Sequence, residues 1–306
     1  MPPPPPGGRW RLILGTIGYA VWAPLPLAGL PFAALVLASR PRARTPWTLA
    51  LVAGALSAGA LLAVRGMVGA FVAAFVVLVT AAFTAGALVA PATVLRQALR
   101  AATLAGLAVM GLARLMWGAT WWDGLQWQAT REASLLTRPL VARLPEVAAM
   151  VDQAIAFTSA TIPGMLVLQA IAGLGLAWQW HVQVSDRPLG LAAAPFRQFH
   201  FGDHWVWGLV AALVIFVVPK LAGLKALAMN LALVLGALYL LRGAAIVTAF
   251  AAAAGVSAAA LVGGAVLATV LAAPLLFLVP GLGTLGVTDT WIGYRRRLQQ
   301  RRPNAT

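Results

Sequence analysis

The residues of this chain equipped for chemistry gather late in the sequence: Arg197, His200, Asp203 and His204 in one short stretch, then Asn230 and Arg242 inside apolar runs. Two imidazoles flanking a carboxylate have the look of a metal site. Joint ligation from one helix needs i, i+4 spacing, however, and Gly202-Asp203 reads as a helix start with Asp203 as its N-cap. His200 then precedes the helix, so the stretch reads as a capped helix with interfacial histidines, and no metal is expected. Of the 3 histidines, only His181 lies elsewhere, and the chain has no cysteine, which excludes disulfides, thiolate catalysis and Cys-ligated clusters. There is no Ser/His/Asp order with context, no H-E-x-x-H and no phosphate-binding loop, so neither an enzyme nor a cofactor is expected.

Gly281-Leu-Gly283-Thr-Leu-Gly286 matches the dinucleotide fingerprint letter for letter. A genuine fingerprint follows a strand, opens a helix and is answered by an acidic residue about 20 positions on. This one follows an apolar run and lacks the acid, so it reads as a turn where the chain leaves a span. The remaining candidates would bind a ligand. Asn230 sits near the start of an apolar helix, as an interhelical hydrogen-bond partner or a ligand contact. Counted from Leu224 at one interface, Arg242 stands about 27 Å along that helix, near the far headgroups, where its charge would snorkel. One turn deeper it would be buried and functional by default. The candidate site is therefore Arg197, His200, Asp203, His204, Asn230 and Arg242, for an anionic or polar ligand.

The elements that must position these groups are membrane spans. The 306 residues are 61% hydrophobic and 9% charged, against about 25% charged in soluble domains. Between His204 and Val279 only Lys220, Lys225 and Arg242 are fully charged, in keeping with the cost of a charge at the bilayer centre, about 2.5–3.5 kcal/mol. The apolar runs cover about 10–38, 47–64, 67–90, 93–117, 154–180, 204–219, 223–250 and 256–280, each near the roughly 20 residues a span requires. The expected fold is all-α, a polytopic transmembrane bundle of about eight spans, the first broken by Pro24, Pro26 and Pro31.

Residues 1–9 read as a disordered Pro-rich leader, 10–292 as a single transmembrane domain and 293–306 as a basic cytoplasmic tail. Within the domain, 118–153 mixes charges and tryptophans as an interfacial amphipathic helix or helix pair does. Most of the 12 tryptophans, Trp117, Trp178 and Trp291 among them, fall near span ends as an aromatic belt. Gln169 reads as an interhelical hydrogen-bond partner, and Ala55/Gly59, Gly69/Ala73 and Ala82/Gly86 have the spacing of close helix contacts. The net charge of +15 sits between apolar runs and in the tail, which points to anionic lipids and not to nucleic acid. Both termini are expected in the cytoplasm of a bacterial cell, which puts the loop before Asp203 on the outer face.

The C-terminal third resembles the YybS-type family of bacterial membrane proteins. The resemblance rests on Pro195-Phe196-Arg197-Gln198-Phe199-His200-Phe201, then Asp203-His204-Trp205-Val206-Trp207, Asn230, Leu241-Arg242-Gly243, Gly286 to Trp291 and Tyr294-Arg295-Arg296-Arg297. It implies a multi-pass membrane protein without an assigned activity. The family's span pattern is distantly similar to the substrate-capture subunits of energy-coupling-factor vitamin transporters, which implies a small-molecule transport or capture role beside other membrane subunits. The contrasting expectation is a scaffold or assembly factor that binds partner proteins through the interfacial segment and tail.

Overall fold

The computed structural model describes residues 8–89, 92–271 and 275–300. Most of the expected leader lies outside the described residues, as do Arg301 and Arg302 of the tail. The described chain is all helical, with no strand. It falls into two compact units, Met1–Ala193 and Ala194–Thr306.

In the first unit the opening apolar run is broken as its prolines require. Helix α1 (Gly8–Trp22) ends just before Pro24, and α2 (Pro26–Ser39) restarts with proline in its first turn, where a missing N–H costs nothing. Helices α3 (Arg44–Ala63), α4 (Gly66–Val89), α5 (Val94–Trp117) and α8 (Ile162–Val184) are each long and apolar enough to span a bilayer. Phe71, Phe75, Val79 and Phe83 of α4 pack with Ala98, Ala101, Ala105 and Val109 of α5 and Leu166, Ala170 and Leu174 of α8. Small residues let these backbones close. A Cβ at Gly29 would meet Ser57 and the Ala53 carbonyl, and one at Gly173 would meet the Tyr19 hydroxyl and Leu27 carbonyl. Gly59 faces open space, so its spacing marks no contact. Gln169 bridges helices as expected, its amide donating to the Trp22 carbonyl at 2.9 Å.

Residues 118–153 contain a helix pair, α6 (Trp121–Arg143) leading to α7 (Ala148–Ala160) through a 3-10 turn. Leu125 is fully buried, and the Gln128 side-chain oxygen accepts from the Met67 and Val68 N–H groups. That bond satisfies orphan donors at the start of α4 and ties α6 to it. Trp178 departs from the aromatic-belt expectation. It is 7% exposed, packs edge-on to Phe83 and donates to the Leu191 carbonyl, so it belongs to the core.

The second unit opens irregularly, with 3-10 turns at Phe196–Gln198 and Asp203–Trp205. Helix α9 (Val206–Val217) is short, and a 3-10 turn at Pro219–Leu224 reverses the chain into α10 (Lys225–Ala253), 29 residues long. Over the 256–280 run the described residues form α11 (Ala258–Leu271) and the start of α12 (Leu275–Ile292), and α13 (Tyr294–Gln300) follows. The 204–219 and 223–250 runs thus become a short helix and a long one.

Helices α10 and α12 cross at glycines. A Cβ at Gly243 would collide with the Leu282 carbonyl, and one at Gly286 with the Tyr239 carbonyl. Since position 239 faces 286 while 243 faces 282, the two helices run antiparallel. The Gly281–Gly286 segment expected to be a turn is therefore mid-helix, its glycines serving close helix contact. The turn comes later, at Gly293, whose φ of 61° suits a residue without Cβ.

Candidate functional site

Arg242 was expected near a helix end, with its charge reaching headgroups. Instead it lies inside α10, eleven residues before Ala253, and is 2% exposed. A guanidinium so placed must find counter-charges, and it finds two. Arg242 Nε and Nη2 both reach Asp289 Oδ2 at 2.9 Å, and Nη1 reaches Asp203 Oδ1 at 2.8 Å. Asp203 thus does not cap a helix: the chain enters α9 through a 3-10 turn without a side-chain cap bond, and its carboxylate serves Arg242.

Asp289 is equally engaged. Its Oδ2 also receives Arg295 Nη2 at 3.3 Å, and its Oδ1 receives the Tyr294 N–H at 2.9 Å. The sharp turn at Gly293 brings both donors back onto the carboxylate. Arg295 then carries the network outward, donating from Nη1 to the Phe199 carbonyl at 2.8 Å. Phe201 closes one side of the layer, its ring 5.7 Å below the Arg242 guanidinium and edge-on to Tyr239 at 4.9 Å. The buried hydroxyls of Tyr239 and Thr290 lie near one another, yet neither makes a hydrogen bond of good geometry.

A cleft of about 710 Å³ opens onto this layer. Of the expected residues, Arg197, His200, Asp203 and Arg242 line it. His204 does not, lying instead against Trp205 at 5.6 Å. Asn230 stays apart: its amide donates to the Ala226 carbonyl in its own helix, and twelve residues of α10, about 18 Å, separate it from Arg242. Sequence reasoning missed Asp289 and Arg295. The signal was present, because a buried arginine needs an acid, and Asp203 and Asp289 are the only acids after Ala194.

The contact between Arg295 and Phe199 bears on the expected topology, which put the loop outside and the basic tail inside. It holds the loop before Asp203 against the basic segment, so the two cannot occupy opposite membrane faces. Electrostatically the cleft is basic. Guanidiniums of Arg197, Arg242, Arg295, Arg296 and Arg297 line it against two carboxylates, a surplus of three positive charges. It suits an oxyanion, which arginine grips bidentately.

A family model described as predicted membrane protein (DUF2232) matches residues 138–290, a stretch that includes Asp203, Arg242 and Asp289. No curated protein and no solved structure matches the chain.

Proposed function

This chain belongs to the DUF2232 family of predicted membrane proteins, and we propose that it captures a small anionic solute in the cleft over Arg242, as a transport or substrate-capture subunit of the kind its YybS-type resemblance implies. Arg242 carries this reading. A buried ion pair is weak evidence for stability, since well-packed apolar residues serve a core as well or better. An ionisable group inside a span is a functional-site signal, and this one opens onto a cleft with surplus positive charge. The arginines also suggest orientation. Arg197, Arg295, Arg296 and Arg297 lie at the cleft, while Lys220 and Lys225 lie at the turn between α9 and α10. The excess of basic residues at the cleft supports its placement on the cytoplasmic side.

The test is native mass spectrometry of the purified protein and of its Arg197→Gln and Arg242→Gln variants. Wild type is expected to retain a small anion that both variants lose. Folded, inserted variants that keep the anion would overturn the reading. A second reading, a scaffold holding partner subunits, draws on α6, where Leu135, Leu136 and Leu140 remain exposed. It predicts that Leu136→Glu breaks a partner complex while anion retention persists.

A further inference from the structure

We infer that the cleft takes a phosphate-type dianion and that Asp203 is its built-in competitor, holding the Arg242 guanidinium until ligand oxygens replace it. This rests on the anion-capture reading and adds to it the ligand class and the exchange step.

The two aspartates of the network are unequal. The Asp289 side chain is 4% exposed, and both its oxygens are engaged, Oδ2 by Arg242 and Arg295, Oδ1 by the Tyr294 N–H. It is a fixed part of the wall. The Asp203 side chain is 45% exposed, and among the described residues only its Oδ1 is bonded, to Arg242 Nη1. It also belongs to the irregular stretch before α9, with a 3-10 turn and no long helix to fix it. Of the contacts to Arg242, the one with Asp203 can therefore open without exposing a buried charge. It leaves Nη1 free in a cleft that Asp203 and Arg242 both line.

Charge balance gives the ligand class. Asp203 and Asp289 neutralise Arg242 and Arg295, while Arg197, Arg296 and Arg297 have no carboxylate partner among the described residues. A monocarboxylate would answer one of these and leave two. A phosphomonoester carries about −1.5 to −2 at neutral pH and presents three acceptor oxygens, enough for more than one arginine fork. Displacing Asp203 adds Arg242 as a further donor. The same chemistry belongs to free phosphate or phosphomonoesters and to the headgroup of a phosphatidic-acid lipid.

The full-length protein in nanodiscs of phosphatidylcholine, titrated calorimetrically with inorganic phosphate, tests the inference. A second arm replaces part of the lipid with phosphatidic acid and scores retention by native mass spectrometry. Binding in the first arm identifies a soluble phosphate, and binding in the second alone identifies the lipid headgroup. Asp203→Asn, which keeps size but removes the competing charge, should tighten binding about tenfold in whichever arm binds, the scale of a charge-assisted hydrogen bond. Lys220→Gln, in the turn between α9 and α10 and away from the cleft, removes a charge elsewhere and should leave affinity close to wild type. If wild type binds but Asp203→Asn binds equally or more weakly, Asp203 is a structural strut and the exchange is wrong, while anion capture stands. Preference for acetate over phosphate would overturn the ligand class. Absence of any anion binding in wild type and Asp203→Asn alike would overturn both.

Discussion

Asp289 holds two guanidiniums with one oxygen and a backbone N–H with the other, so its replacement by Asn should be among the most damaging single changes in the second unit. It leaves Arg242, 2% exposed, with only the half-exposed Asp203 as counter-charge. Breaking a buried pair from one side costs about 3–5 kcal/mol, because the remaining charge stays desolvated. A thermal or denaturant melt in detergent should show that loss, whereas Asp203→Asn should cost less, because Asp203 is half-exposed and Arg242 keeps Asp289 as counter-charge. Equal losses would mean that the two carboxylates share the burden. The importance of Arg242 was legible from its residue type within an apolar run. Its depth was not: the estimate assumed a helix ending near the arginine, whereas packing against α12 extends α10 to Ala253. The role proposed for Asp203 from Gly202-Asp203 was a local inference, and a partner 39 residues away outcompeted the local backbone.

At the scale of elements, the α10–α12 crossing governs the site, because it brings Asp289 to Arg242. Gly243 and Gly286 are the contact points, each facing a carbonyl of the other helix. Gly286→Val should force the helices apart, lower the melting midpoint and abolish anion retention together, since carbonyl oxygens cannot be pushed aside as flexible side chains can. Gly236→Ala in α10 is the control. It meets nothing within 4 Å, and removing a helix-interior glycine should be neutral or stabilising by up to about 1 kcal/mol. If both variants behave alike, the crossing is not what positions the aspartate. Here the sequence was legible only in part. Apolar runs located α3, α4, α5, α8 and α10, and prolines located the break between α1 and α2. Small-residue spacing is so frequent in an Ala- and Gly-rich chain that it could not separate Gly286, which touches a backbone, from Gly59, which touches nothing.

For the whole molecule, the consequence concerns which parts of the chain share a membrane face. Hydropathy counts runs well, but a count fixes sidedness only if every run crosses. In the second unit the runs are unequal: α9 has 12 residues and α10 has 29. A single miscounted crossing inverts everything downstream, and only a contact between distant segments reveals it. Arg295 bonding Phe199 is such a contact. The native chain has no cysteine, so single cysteines at His200, Arg297 and Lys220 can be labelled without background. His200→Cys and Arg297→Cys should react with a membrane-impermeant maleimide from the same side, and inverted vesicles should show that side to be the cytoplasm. Lys220→Cys, at the reversal between α9 and α10, should react from the opposite side. Labelling of His200→Cys and Arg297→Cys from opposite sides would separate Arg295 from the loop it binds and dissolve the cleft. Labelling of both from outside would keep the cleft but turn its mouth, and the solute it captures, to the exterior.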